Sequence, residues 1–592
     1  MAMRISLPSL PAVLVPGLIG LMFTLTSGFS HSEGRWWPEQ KPARELVVLD
    51  SGEFAKLSAT HGGAISSDNS RTPYHMLAAS AAGLAAQAVN EGRYDALIWI
   101  AMRGNRSSAE WLERLLRRTG MVRKKSPGLW PLISQLAQAG VVKGYILYRQ
   151  ERINRDDRKD APADESANAA TVMAGLLGGI LVEENLQAEA DKAGLKLLLD
   201  ARQLTEEQVF AQNRDKLNRN CAMLQTPELP FGRDLAIAHR MMVMIGREAP
   251  TPEVYAWMEP IGTVYGWNLD PEDKAVGQVA EQGHIIVPCD WAPNLPALSC
   301  GAPATLAGLA TVKFQTPQPV PVRDDQSAAA VVMSDGDNLQ WALTTFAHNP
   351  KYWANPLREE FPMSWGFPVG DLMLMAPDAY AYYVETQGAR TSIMVHMGYY
   401  YPDTFGKLRG PAARVELLKR LAQRIELVMQ ASGTTLLTFL VMDLDSDAAR
   451  EAYAIFAQEI PSLTGMFAIQ YHPYEGGEGE VFWFKRRDGA DVPVTTASYA
   501  IWKASEKRLR GQIPSRLAET VTAAAESADA AGRPFSDWII AHAWSEFPED
   551  IADQPGALPQ GVDPVQKFSR LVNGRVPIVT AEQIVERLKK KN

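Results

Sequence analysis

From residue 328 to the C-terminus, short apolar runs alternate with helical stretches, and this alternation limits the fold more than any other feature of the chain. The runs are AAVVMSD (329–335), PMSWGF (362–367), TSIMVHMG (391–398), TLLTFLVMD (435–443), MFAIQYH (466–472), VPVTTAS (492–498) and DWIIAHAW (537–544). Near-continuous apolar strands are covered on both faces, which is the condition of a parallel sheet under helices. Helical stretches fall at 377–387, 412–431, 446–458 and 580–590. Seven or eight such repeats in about 265 residues predict an α/β fold with a (β/α) barrel-like domain over 328–592, against a doubly wound open sheet as the competing arrangement. The Ala-rich helix at 516–531 is expected to be a surface insertion.

The proline-rich TPQPVPVRDDQS (316–327) reads as a linker, because its prolines remove backbone donors and favour extended chain. Small α/β units are expected before it, at 31–123, 124–230 and 231–315. The first has strands at 45–50 and 96–102 with helices near 76–90 and 109–119. In the second, a helix at 129–139 and a strand at 144–149 precede a long helix near 167–185 and a strand at 195–200. The third has a helix at 234–246 and strands at 263–268 and 284–291.

At 592 residues and 46% hydrophobic content the chain can bury a large core, on a scale of roughly 100 to 200 residues per domain. Its net charge of −9 is mild, and basic stretches are as short as Arg117-Arg118 and Lys589 to Lys591, so nucleic acid is not an expected partner. Residues 1–30 have the layout of a secretory signal peptide: Arg4, an apolar stretch from Val13 to Leu25, then small and polar residues. Export to the periplasm or the extracellular space is expected, with an uncleaved N-terminal anchor as the alternative and no other membrane segment. Cys221, Cys289 and Cys300 form no metal-binding spacing; Cys289 and Cys300 can pair, or all three can be buried thiols.

Barrel active sites lie at the C-terminal ends of the strands, so those ends are where chemistry is sought. In order they present Asp335, Asp337 and Asn338; Trp365 and Asp371; His396, Tyr399 and Tyr401; Asp443 and Asp445; His472, Tyr474 and Glu475; and His542, Trp544 and Glu546. Asp-Gly-Asp-Asn is also a good turn, and Asp443 and Asp445 also suit the start of the following helix. Acids mixed with tryptophan, tyrosine and histidine suit glycoside hydrolysis, which needs two carboxyl groups and aromatic faces for the sugar. A metal-dependent deacetylase would use an Asp and two His, but no close H-x-x-x-H pair is present. No G-x-S-x-G turn, P-loop or G-x-G-x-x-G fingerprint follows a strand.

HMGYYYP (396–402), together with MSDGDNLQW (333–341), resembles the bacterial family named for its G-x-G-Y-x-Y-P motif and classed with the glycoside hydrolases. GYILYR (144–149), ANAATVMAGL (167–176), RDLAIAHR (233–240), YGW (265–267) and EQGHIIVPCDWAPNL (281–295) look like that family's three-part N-terminal region, and SWGFP (364–368) and LMAP (374–377) like its barrel-like domain. Gly398, Tyr399, Tyr401 and Pro402 match the motif; its first glycine is His396 here, which leaves open whether the backbone there needs positive φ. The resemblance implies a carbohydrate-processing role.

The resulting expectation is a glycan hydrolase with no cofactor or metal. Asp335 or Asp337 forms a carboxyl pair with Glu546 or Asp443, while Asn338, His396, Tyr399, Tyr401, His472 and His542 bind sugar hydroxyls and Trp341, Trp365 or Trp544 gives a stacking face. A metal-dependent carbohydrate deacetylase and a non-catalytic glycan-binding protein are the remaining alternatives. Glu281, His284, Asp290 and Trp291 of the N-terminal region are either structural or close over the cleft.

Overall fold

Short parallel strands build the region before the linker, in three separate sheets. A computed structural model describes residues 37–60, 73–102, 104–149, 164–246, 249–267, 271–302, 312–471, 473–503 and 511–591. The expected signal peptide and His472 lie outside the described residues. Strands β1 (Glu45–Asp50), β2 (Ala96–Ala101) and β3 (Val122–Lys125) form the first sheet, in order β2-β1-β3. The second holds β4 (Gly144–Tyr148), β5 (Gly179–Glu183) and β6 (Leu197–Asp200), with β4 in the centre. Four strands make the third: β7 (Cys221–Leu224), β8 (Met242–Met244), β9 (Thr263–Gly266) and β10 (Ile285–Val287), in order β10-β9-β7-β8. This sheet begins at Cys221, ahead of the expected division at 230/231.

Two long helices expected from the sequence are each a helix followed by a strand. The helix Ser166–Leu177 ends where Gly178 takes a left-handed conformation (φ 78°) and its amide bonds to Ala174 O, and the ILVE that follows is β5. The helix Arg233–Ala238 ends before Arg240 (φ 51°), and the next apolar run becomes β8. Short apolar runs do not separate buried strand from buried helix by periodicity, and here the Gly and positive-φ positions decide.

After the linker the strands are β11 (Ala328–Met333), β12 (Met363–Phe367), β13 (Thr391–Val395), β14 (Leu436–Val441), β15 (Gly465–Gln470), β16 (Val481–Lys485), β17 (Asp491–Thr495), β18 (Tyr499–Ile501), β19 (Gly511–Gln512) and β20 (Ser536–Ala541). They join in one curled, barrel-like sheet of order β16-β17-β15-β14-β13-β12-β11-β20-β18-β19. β17 pairs in parallel with β15 while β18, three residues further on, pairs in parallel with β20, so a single run of chain bridges the two sides of the sheet. Phe467 of β15 and Trp538 of β20 meet edge to face at 5.2 Å. An open doubly wound sheet has no such bridging segment.

Helices cover the outer face. Pro514–Ala530 buries Leu517, Ala518, Val521 and Ala525 and packs on the helix Val562–Val572, so it belongs to the helical layer and is not the surface insertion expected from its Ala-rich sequence. The three cysteines are free and buried, which removes the Cys289–Cys300 pairing. Among the described residues no helix is long and apolar enough to cross a membrane.

Candidate active site

The SDGDN run leaves β11 in a tight turn whose geometry depends on its glycine. Ser334 still bonds in the sheet, its amide donating to Ala541 O at 2.9 Å. Asp335 then turns the chain at φ 61°, in the left-handed region that Asp tolerates better than most residues. Gly336 lies against β12, where a Cβ would come within 2.6 Å of Gly366 O. The turn leaves Asp335 partly exposed, with Ser334 Oγ donating to its Oδ2, and tucks Asp337 inward at 7% exposure. Asn338 Nδ2 donates to Asp337 Oδ1 at 2.9 Å.

The GYYYP stretch after β13 joins the N-terminal region to the mouth of the barrel. Tyr399 and Ile286 of β10 exchange backbone hydrogen bonds of 2.6 and 3.0 Å in an isolated antiparallel bridge. Gly398 makes this approach possible: its φ is 63°, and a Cβ there would stand 3.0 Å from Ile286 O. The buried Asp371 accepts the Gly398 amide at 3.1 Å and fixes the turn. Gly398→Ala is therefore expected to destabilise the protein by about 1–2 kcal/mol, the cost of a left-handed Cβ, read as a lower midpoint in urea unfolding. At the first motif position His396 does not take positive φ, so a side chain there carries no left-handed penalty, and the imidazole is buried against Asp337.

His396 and Asp337 face each other, and burial is the first influence on the protonation of both. His396 is 2% exposed, and its Nδ1 lies 2.7 Å from the Gly398 carbonyl, an acceptor only, so Nδ1 carries the proton and Nε2 is bare. Burial pushes the imidazole down to about 4, and its Nε2 faces Asp337 Oδ2 at 3.5 Å. The Asp337 carboxyl is pushed up to about 8, first by burial and then by the charges of Asp335 and Glu272. Near neutral pH it holds a proton beside a neutral imidazole.

Glu272 enters this pocket from the other region of the chain. It is the first residue of the helix Glu272–Glu281, between β9 and β10, and its Oε1 accepts the Tyr399 hydroxyl at 2.6 Å. Burial and the charges of Asp335 and Asp273 push it up to about 7, against the Tyr399 hydrogen bond. Tyr474 reports the same cluster: its hydroxyl is held well above the usual phenol range by burial and by the charges of Glu272, Asp335 and Asp337.

Aromatic groups gather after the ends of β11, β15, β18 and β20. Trp341 and Trp544, both half-buried, meet edge to face at 5.1 Å, and Trp544 leans on Phe346 and Tyr352. Trp502 stacks on His542 at 3.6 Å and 8°, with Tyr474 edge-on to Trp502 at 5.1 Å. Tyr401 is buried against Tyr471 at 5.9 Å.

Other expected site residues are placed elsewhere. Trp365 is fully buried, its ring stacked on Phe367 and covered by Phe346 and Trp353, so it belongs to the core and has no face for a sugar. Asp443 is exposed and accepts the amide of Asp445, while its own amide donates to Asp403: this is turn chemistry ahead of the helix Asp447–Glu459, which Ser446 caps. Glu546 is exposed and lies 3.8 Å from Lys351 Nζ. His284 is buried between the Gly262 amide and Tyr255 O, with the Arg409 guanidinium of the barrel-like half 3.5 Å from its Nε2. Among the described residues no three His, Cys, Asp or Glu side chains converge to hold a metal ion.

Sequence reasoning did not bring Glu272 or Trp502 into this cluster, and it left Tyr474 out of the expected site residues. Glu272 follows a proline at a helix start, where acids are common for reasons of the helix dipole. The neighbouring YGW was the nearest signal, because Trp267 packs on Tyr399 at 5.9 Å.

Residues 326–573 match the model of a family described as "GxGYxYP putative glycoside hydrolase C-terminal domain". Among solved structures, a "putative hydrolase" from Bacteroides thetaiotaomicron is similar over 93% of this chain and 96% of its own, with 20% identity and a TM-score of 0.72, a likeness of fold. A "putative polysaccharide deacetylase" from Mycobacterium smegmatis covers 47% of this chain and 96% of its own at 12% identity, with a TM-score of 0.28, too low to establish a shared fold. No curated protein matches the chain.

Proposed function

We propose that this chain, whose residues 326–573 belong to the GxGYxYP family of glycoside hydrolase C-terminal domains, hydrolyses glycosidic bonds of a poly- or oligosaccharide at the pocket around Asp335 and Asp337. The observation that carries this reading is a pair of carboxyl groups in one turn at the end of β11, Asp337 buried and Asp335 more exposed, with burial first and the Asp335 charge second pushing Asp337 up toward its neutral form. Glycoside hydrolysis asks for that division of labour. Asp337 gives its proton to the leaving glycosidic oxygen as the bond to the anomeric carbon breaks. A carboxylate of the pocket assists the incoming water, whose spare proton restores the acid. Asn338 holds the Asp337 carboxyl in place, and Tyr399, Tyr401 and Tyr474 offer hydroxyls to the sugar. Trp341 and Trp544 on one flank, and Trp502 with His542 on the other, offer apolar faces for a pyranose.

The reading is tested by incubating the purified protein, Asp335→Asn and Asp337→Asn with a panel of bacterial and plant glycans, with and without chelator. Sugar release by the wild type alone, indifferent to chelator, is the expected result. Chelator-sensitive release of acetate would replace the hydrolase by a metal-dependent deacetylase, and glycan binding without product would leave a binding protein. Export belongs to the same proposal; N-terminal sequencing of the secreted fraction, with a start after residue 30 expected, checks it.

A further inference from the structure

Resting on the hydrolase reading, we propose that Glu272 is a catalytic carboxylate of the same pocket, so that the N-terminal region completes the active site and the barrel-like domain alone lacks one of its acids. Three features of the geometry support this. The side chain leaves its own helix: that helix has no side-chain cap, and the Glu272 carboxyl accepts the Tyr399 hydroxyl of the barrel at 2.6 Å. The docking is fixed by backbone, through the paired hydrogen bonds of Ile286 with Tyr399 and the close approach at Gly398, so Glu272 is held by rigid elements. The same cluster also holds buried polar atoms with no hydrogen-bond partner among the described residues: His396 Nε2, directed at Asp337 Oδ2, and the Tyr401 hydroxyl, which burial first and the charge of Glu272 second hold above its usual range. Buried atoms of this kind are normally satisfied, and hydroxyls of a bound sugar would satisfy them.

The groups that face Glu272 come from both regions: Asp273 on its own helix, Asp335 and Asp337 after β11, Tyr399 and Tyr401 after β13, and Tyr474 after β15. Burial and the charge of Asp335 favour its neutral form, and Tyr399 favours its carboxylate. An acid balanced near 7 can both give and accept a proton at neutral pH, which a second carboxylate must do in one turnover.

The test uses the full chain labelled with ¹³C at the glutamate carboxyls. One carbon should titrate near 7, vanish in Glu272→Gln, move to lower pH in Asp335→Asn and to higher pH in Tyr399→Phe. Those opposite shifts follow from contact with both groups, and a carbon unmoved in both variants would overturn the proposal. On a glycan that the wild type cleaves, Glu272→Gln is expected to lower kcat about 100-fold, within the range of general acid–base catalysis, with little change in KM and a melting temperature no lower than the wild type's. An active wild type whose Glu272→Gln form keeps its rate removes Glu272 alone. A wild type that cleaves nothing removes the hydrolase reading and the catalytic role together.

Discussion

Asp337→Asn is expected to lower kcat for glycan hydrolysis about 1,000-fold, the middle of the range for losing a positioned general acid, while the protein stays folded and still binds the glycan. The substitution is nearly isosteric. The contact from Asn338 Nδ2 survives, because the new amide keeps an oxygen in the Oδ1 position, and its NH2 can face the bare Nε2 of His396. What disappears is the transferable proton. Glycan affinity measured by calorimetry alongside kcat separates the two losses. Unchanged binding with collapsed turnover is the signature of an interaction made in the transition state, whereas a rise in KM at constant kcat would mark Asp337 as a binding residue only. Retention of the wild-type rate would move the acid elsewhere in the pocket.

The barrel-like half was legible because its strands are covered on both faces and therefore read as unbroken apolar runs between helices. The same property hid other elements. MMVM after Arg240 and ILVE after Gly178 resemble helical core as much as strand, and only left-handed backbone at the preceding positions separates them. A parallel sheet brings its strand ends to one rim, and Asp335, Asp337, His396 and Tyr399 are neighbours there. Strand ends could not separate an acid that faces the pocket from one that starts a helix, and Asp443 is the second kind. Trp365 lies within β12, where the sequence does not show which face of the strand is closed over. Glu272 was hidden for a different reason. Its role depends on the docking of β10 against Tyr399, which joins segments more than a hundred residues apart, and no local pattern encodes that contact.

The proton held on Asp337 has a cost in stability, and the Asp337→Asn protein is expected to be the more stable of the two at pH 8 while matching the wild type at pH 4. The sign follows from linkage. An unfolded Asp titrates near 3.9 and the folded Asp337 near 8, so between those values the folded state binds more protons than the unfolded one, and stability falls as pH rises. The penalty is absent below about 4, where both states are protonated, and complete above about 8. Each pKa unit is worth about 1.4 kcal/mol; allowing for the sharing of charge with Asp335 and Glu272, the difference at pH 8 is expected to be on the order of 3 kcal/mol. Other buried acids, such as Asp371, which is pushed up to about 7, bend the stability curve of both proteins alike and cancel in the comparison. Urea unfolding of the two proteins between pH 4 and pH 9 measures the gap. A gap that opens with pH, together with the loss of turnover, would mean that the chain gives up stability to keep this acid protonated. Parallel curves would mean that Asp337 titrates like an ordinary carboxylate, and the general-acid role would then have no proton to work with.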